Sequence, residues 1–316
     1  MNLSMIFPFY NEETTIRMTI DSLASQSRKA DEVIFIDSGS NDNTLNIINT
    51  AKKENPELNI KVLHSGEMFP SNSINMGIKQ STNEMLMYMD CGLLIPDDWV
   101  ESQIDEYEKG KADVVSGRIF TKGVDIIDQC FISHTYGYKN KCICLTGSIF
   151  HKRLLDKTGL FIENCRAGYD VDFVNKVKLN GYSRVINKKV QLEYYGINYS
   201  KTIISGYKKV KLYSKSAWQA YGDKKPYLYL LGLILLIIAL INLPLLIMAP
   251  IMVLYIIIRG FLVPYYKSRS IYKHINLKLL FFLPIVGACF DLARINGYID
   301  GLLRYKQNDE KKYSRK

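Results

Sequence analysis

The six cysteines include no C-x-x-C pair: Cys91, Cys130, Cys142, Cys144, Cys165 and Cys289 are scattered along 316 residues. That argues against a zinc ribbon or a redox dithiol and for reduced thiols; only Cys142 and Cys144, two apart, would share one face of a strand. Histidine is as sparse, and His64, His134, His151 and His274 hold no metal-ligand spacing. No long glycine-rich basic loop follows the first strand-like run, which disfavours a nucleotidyltransferase. Basic residues do not interleave with aromatics as on single-strand-binding surfaces, so the net charge of +10 does not imply nucleic acid. No basic stretch followed by a long apolar core precedes the run at Leu3–Phe7, and no signal peptide is expected.

What is present is uneven. Apolar residues make up 47% of the chain and dominate from Tyr227 to Tyr266, where Arg259 is the only full charge. A spanning helix takes about 20 residues. This stretch holds about two such lengths, divided near Asn242-Leu243-Pro244, which predicts a helical hairpin. Lysines and arginines crowd both flanks, among them Lys208, Lys209, Lys224 and Lys225 before it and Lys267, Arg269 and Lys273 after it. Such flanks mark the cytoplasmic side and attract anionic headgroups, so membrane lipids are expected partners. Leu277–Ala293, interrupted by Pro284 and Gly287, reads as a re-entrant or interfacial piece. Lys201–Tyr221 reads as an amphipathic basic helix at the surface, with Tyr213, Trp218 and Tyr221 as interfacial anchors.

The first half alternates strand and helix signals. Leu3–Phe7, Glu32–Asp37, Ile60–Leu63 and Glu84–Met89 read as strands. Asn11 is placed to cap a first helix running through Leu23, Asn41 and Asp42 open a second, and Asn72–Lys79 forms a third. Asp113–Phe120 and Ile143–Phe150 add strands; Asp97 and Asp98 start a helix at Trp99, and Lys152–Lys157 and Asp170–Leu179 look helical. The pattern predicts an α/β domain with a mostly parallel, Rossmann-like sheet and its ligand at the carboxyl ends of the strands. The domain is expected over 1–200, followed by a basic helix or linker at 201–225, the hairpin at 226–266, and an interfacial or re-entrant helix with a basic tail at 267–316.

Three acidic clusters fall at that expected edge: Asp37 ends the second strand, Asp90 the fourth, and Asp170 and Asp172 sit in Gly168-Tyr169-Asp170-Val171-Asp172-Phe173. One aspartate after a strand is an ordinary turn former; three at one edge point to a site. The run Ile6-Phe7-Pro8-Phe9-Tyr10-Asn11-Glu12-Glu13, then EVIFIDSGSNDNT over 32–44, then Met89-Asp90-Cys91-Gly92-Leu93-Leu94-Ile95-Pro96, then Leu145-Thr146-Gly147-Ser148 and GYDVDF, resembles in order and spacing the motifs of glycosyltransferase family 2. The resemblance covers roughly residues 1–200. It implies a GT-A fold, a nucleoside-diphosphate sugar as donor, a divalent metal and inversion at the anomeric carbon. With the apolar segment, it points to a lipid-linked or growing saccharide acceptor at the cytoplasmic membrane face.

Carried over by residue, the resemblance places Pro8 and Tyr10 at the nucleotide base and Glu12 at the nucleoside or, alternatively, at a helix start. It places Asp37 at the base or ribose, and Asp90 at the diphosphate and metal. Asp170 becomes the catalytic base. Thr146, Gly147, His151 and Glu163 are acceptor-side candidates, with plain strand termination the alternative for Thr146 and Gly147. Asp42 reads as a helix cap. The chemistry suits these types: a hard cation, Mg²⁺ or Mn²⁺, stabilises a departing diphosphate through oxygen ligands, and a carboxylate takes the proton of the attacking hydroxyl. The sequence departs from the pattern where Gly92 replaces the second acid of the DxD motif and Tyr169 the acid before the base. No Arg or Lys stands between Gly66 and Lys79. A catalytically degenerate scaffold protein of the same fold is the alternative reading.

Overall fold

The computed structural model describes residues 1–135, 145–195, 202–223, 225–242, 244–267 and 277–313, with the backbone alone at 240, 245 and 304–313. Cys142, Cys144, Ile143, Lys224, Lys273 and His274, singled out from the sequence, lie outside them. The chain divides into two compact units, one of Met1–Lys122 with Asn140–Ile197, the other of Gly123–Lys139 with Asn198–Lys316.

The first unit begins β1 (Leu3–Phe9), α1 (Ile16–Ala24), β2 (Glu32–Asp37), α2 (Thr44–Glu54), β3 (Ile60–His64), α3 (Pro70–Gln80) and β4 (Met85–Tyr88). These four strands pair in parallel, β1 at the centre between β2 and β4, as the alternation predicts. It continues with β5 (Leu93–Leu94), α4 (Trp99–Glu108) and β6 (Val114–Thr121). The chain returns after α5 (Ile126–His134) with β7 (Ser148–His151), a 3₁₀ turn at Lys152–Leu154, α6 (Leu155–Thr158), α7 (Tyr169–Leu179) and β8 (Arg184–Tyr194). The sheet order is β3-β2-β1-β4-β7-β6-β8-β5. Strand β7 runs antiparallel to both β4 and β6, and β5 to β8, so the complete sheet is mixed. The eleven-residue β8 escapes the sequence pattern because Lys188 and Lys189 interrupt it.

Alternate residues of the central strands enter different cores, as a two-residue period requires. Met5, Phe7, Val33, Phe35 and Met87 join α1, α2 and α4 on one face. Ile6, Ile34, Ile36, Leu86 and Tyr88 join α3 and α7 on the other. Both faces are covered, and β2 is buried along its whole length. Trp99, fully buried, lies against two backbones: a Cβ on Gly117 would stand 1.8 Å from its ring and one on Gly147 2.8 Å. Gly117→Ala is therefore expected to destabilise the unit by about 1–3 kcal/mol or more through overpacking, read as a lowered thermal midpoint.

The first two helices start later than the sequence suggests. Asn11 caps nothing: it sits at φ 54°, and its side chain exchanges hydrogen bonds with Asn41. Asp42 does close the start of α2, accepting from the Thr44 amide at 3.1 Å and its hydroxyl at 2.6 Å, while its other oxygen accepts from the Glu13 amide at 3.1 Å. The loops after β1 and β2 are thus laced together, which delays both helices.

The second unit holds α5, α8 (Ile203–Tyr221), α9 (Lys225–Asn242), α10 (Leu245–Tyr255), a π-helical segment (Ile256–Leu262), α11 (Val263–Lys267) and α12 (Leu277–Tyr313). The break between α9 and α10 falls at Pro244, as expected. Leu246–Lys267 and Leu277–Leu303 are long and apolar enough to cross a membrane, with mean hydropathies of 2.4 and 1.6; the apolar stretch Lys225–Ala239 is shorter. Contrary to the sequence reading, Pro284 and Gly287 do not interrupt α12, which is continuous over 37 residues. Pro284 rests on Gly260, where a Cβ would approach its ring to 2.7 Å. Gly297 and Gly301, four apart, bring α12 close to α8, with Trp218 edge-on to Tyr298 at 5.1 Å.

Candidate active site

Parallel pairing carries the ends of β1, β2 and β4 to one edge: Phe9 lies opposite Asp37, and Ile6 opposite Tyr88. Asp37 and Asp90 therefore flank the turn that follows β1. Asp37 is 4% exposed; its Oδ1 accepts from the Ser40 amide at 2.9 Å, and its Oδ2 stands 3.5 Å from His64 Nδ1. Its own carbonyl accepts from the Ser65 amide and hydroxyl, both at 2.9 Å. The carboxylate thus shapes the 38–41 loop and still faces an exposed histidine.

Asp90 is half-buried, with both oxygens held by hydroxyls: Tyr88 donates to Oδ1 and Thr146 to Oδ2. Burial raises its carboxyl above the usual carboxylate range, although these two hydrogen bonds and the charge of Arg166 work against the rise. Asp170, in the first turn of α7, arrives by a separate route. The chain before it runs along α3, where Asn75 exchanges hydrogen bonds with the backbone of Phe161, Ser71 with that of Cys165, and the Asn72 side chain accepts from the Asn164 amide. This clasp delivers Tyr169, whose hydroxyl lies 3.2 Å from that of Tyr88. Burial pushes the Asp170 carboxyl up to about 6, the charge of Asp90 adding to it and the Val171 amide opposing it.

The structure thus brings Asp90, Asp170 and Thr146 together, with Asp37 across β1 at the same edge. Pro8 lies in β1 opposite Ile36, and Tyr10 is 50% exposed just beyond it. Glu12 accepts from the Thr15 hydroxyl and its carbonyl from the Ile16 amide, so it helps form the start of α1. Gly147 has a backbone role: at φ +77° its amide donates to the Tyr88 carbonyl at 2.8 Å, and its carbonyl accepts from Gln103. Glu163 is exposed in the loop that precedes Asp170.

His151 does not join them. Strand β7 runs antiparallel to β4, so Ser148 lies opposite Tyr88 at the site and His151 opposite Met85 at the far end. There it accepts from the Arg153 amide and lines a cavity of about 500 Å³ with Met1, Glu84, Tyr107 and Arg153. That cavity lies at the sheet edge away from the carboxylates. Tyr88 escaped the sequence reading although the two-residue spacing to Asp90 puts both on one strand face. Arg166 escaped because it stands four residues before Asp170 rather than in the 66–79 stretch.

The oxygens around Asp90 come from carboxylate and hydroxyl groups, a donor set that fits a hard cation. Among the described residues no group of three His, Cys, Asp or Glu gathers as a cage. Gly92 takes φ +77°, with its amide donating to Thr19 at 3.1 Å, so the second DxD position serves the backbone. A cation here would rest on Asp90, its other ligands coming from substrate oxygens and water.

A poly-β-1,6-N-acetyl-D-glucosamine synthase of Staphylococcus epidermidis is 32% identical over 117 residues, 36% of this chain and 28% of that protein. An uncharacterised glycosyltransferase of Rickettsia felis is 24% identical over 197 residues, 59% of this chain and 32% of that protein. The chain therefore matches about a third or less of the length of these relatives. Among solved structures, a mannosyltransferase of Pyrobaculum calidifontis, in complex with GDP-mannose and Mn²⁺, superimposes with a TM-score of 0.63 at 15% identity, covering 95% of this chain and 87% of that one. Staphylococcus aureus TarS with UDP-GlcNAc gives 0.51 at 19% identity, covering 98% and 92%. These two share the GT-A fold. The model of glycosyltransferase family 2 matches residues 4–174, more than half of the chain, and the protein belongs to that family.

Proposed function

We propose that the enzyme transfers a sugar from a nucleoside diphosphate to a lipid-linked or growing saccharide acceptor at the cytoplasmic face of a membrane, with inversion. The observation that carries this is the meeting of Asp90 with a second carboxylate, Asp170, whose burial brings it up to about 6. That value suits a general base working near neutral pH. In this reading Tyr10, Pro8, Glu12 and Asp37 hold the nucleoside, and Asp90 faces the diphosphate. Asp170 accepts the proton of the acceptor hydroxyl as its oxygen attacks the anomeric carbon and the nucleoside diphosphate leaves. Thr146, Gly147 and Glu163 border the acceptor side. A cation on Asp90 would stabilise charge on the departing diphosphate. Residues 1–200 carry the chemistry, and 226–316 attach it to the bilayer.

Support for the donor class comes from the relatives solved with GDP-mannose and UDP-GlcNAc and the synthase named for N-acetylglucosamine polymer. Support for membrane attachment comes from the two long apolar helices and their basic flanks. An acceptor carried by lipid meets an anchored enzyme at raised local concentration. The test is donor turnover by the full chain in detergent, across a panel of nucleotide sugars with and without Mg²⁺ or Mn²⁺. One donor is expected to be consumed, with EDTA lowering the rate and added Mn²⁺ restoring it. A chain that binds no donor in the panel is a scaffold, not this enzyme.

A further inference from the structure

One departure from the family pattern, Tyr169 for an acid, joins the hydrogen bonds around Asp90, which stands two residues before the other departure, Gly92. Tyr88 Oη–H donates to Asp90 Oδ1 at 2.5 Å, Thr146 donates to Oδ2, and the Tyr169 and Tyr88 hydroxyl oxygens are 3.2 Å apart. Each hydroxyl carries one proton, and an ionised carboxylate only accepts. Tyr88 spends its proton on Asp90, so its oxygen accepts from Tyr169. The chain therefore has one direction, Tyr169 to Tyr88 to Asp90. The rings are set by packing: Phe161 lies 6.2 Å from each tyrosine and stacks on Phe173 at 4.4 Å. Tyr88 is 2% exposed.

We propose that Tyr169, Tyr88 and Thr146 are positioning residues that aim the single carboxylate of Asp90 at the donor's diphosphate and its cation. Elsewhere in the pattern a second acid at position 92 shares that task; here three hydroxyls fix the orientation of one acid instead. The consequence is counterintuitive. Tyr169 adjoins the base Asp170 in sequence, yet its hydroxyl acts on the donor side through Tyr88. Hydroxyls suit the task because they add no charge beside two carboxylates, whereas a third acid here would meet the negative field of both.

The inference rests on the donor-site reading above, and the experiment separates the two. The full chain in detergent is titrated calorimetrically with UDP and with GDP, in Mn²⁺ and in EDTA. For the nucleotide that binds, Tyr88→Phe is expected to weaken Mn²⁺-dependent binding about tenfold, the loss of one hydrogen bond to a charged group. Tyr169→Phe is expected to weaken it about threefold, and the double variant no more than Tyr88→Phe alone, because the outer hydroxyl works only through the inner one. Donor KM should rise with kcat within about twofold, thermal midpoints should hold, and the losses should vanish in EDTA. Additive losses, equal losses in EDTA, or wild-type binding and KM in Tyr169→Phe overturn the proposal. If the wild-type chain binds neither nucleotide, the donor-site reading falls and takes this inference with it.

Discussion

Asp170→Asn is expected to lower kcat by about 10²–10⁴-fold, the usual contribution of a positioned general base, while donor KM stays within about twofold. The substitution keeps shape and removes only the ability to take a proton. In the proposed role Asp170 works as a carboxylate, and burial sets its titration at about 6, so wild-type kcat/KM should fall roughly tenfold per pH unit below that value. Asp170→Asn should lose this limb. Stability provides the control. The folded-state value lies above the unfolded one of 3.8, so the folded chain binds the extra proton between about 4 and 6. Stability from this group is present below that window and is lost as pH rises through it. At pH 7.5 the ionised, half-buried Asp170 is therefore a burden that asparagine removes, and the thermal midpoint of the variant should equal or exceed that of the wild type. Sugar transfer across a pH series, alongside thermal unfolding, checks both halves. Near-wild-type turnover in the variant would exclude Asp170 as the base.

What the sequence makes legible follows from strand direction. Asp37 and Asp90 each end a buried run whose parallel partner is β1, and parallel strands end together, so their shared edge can be read before any coordinates exist. His151 shows where this stops working. It follows Thr146 by five residues and looks like a neighbour of the site. Strand β7, however, runs opposite to β4, and each residue along it moves about 3.3 Å from the carboxylates. Periodicity records that a segment is a strand, not which way it points in the sheet. Tyr169 fails differently. Against the family pattern it registers as a missing acid, and only the hydrogen bond to Tyr88 gives it a task. The helix starts come late because Asn11, Glu13, Asn41 and Asp42 bond across two loops far apart in sequence, Asp42 doing so while it also closes the start of α2. Pro284 gives a sound reason to expect a break, yet α12 runs through it, with Gly260 packed against its ring.

The second large effect lies in the helical unit. Arg259, the only full charge between Tyr227 and Tyr266, sits in the π-helical segment at 7% exposure. Its Nε donates to Asp291 Oδ2 at 2.6 Å and an Nη to Oδ1 at 2.7 Å, a two-point pairing that the planar guanidinium allows. Tyr255 donates to the same carboxylate at 3.1 Å. The other Arg259 Nη stands 2.7 Å from His134 Nδ1, and because arginine only donates, that ring nitrogen accepts. His134 must then carry its proton on Nε2, which donates to the Leu283 carbonyl at 2.9 Å. One network thus ties α5, the π segment and α12. Asp291→Ala leaves a buried guanidinium without its counter-charge, and the expected cost is about 3–5 kcal/mol. Replacing both partners by apolar residues, Arg259→Met with Asp291→Leu, removes the stranded charge and should recover most of that loss. Unfolding of the full chain in detergent, followed by helical circular dichroism, reads both. An Asp291→Ala chain as stable as the wild type would show that water or lipid already reaches Arg259, and a double variant as unstable as the single one would show that the polar network itself, rather than the unpaired charge, holds these helices together.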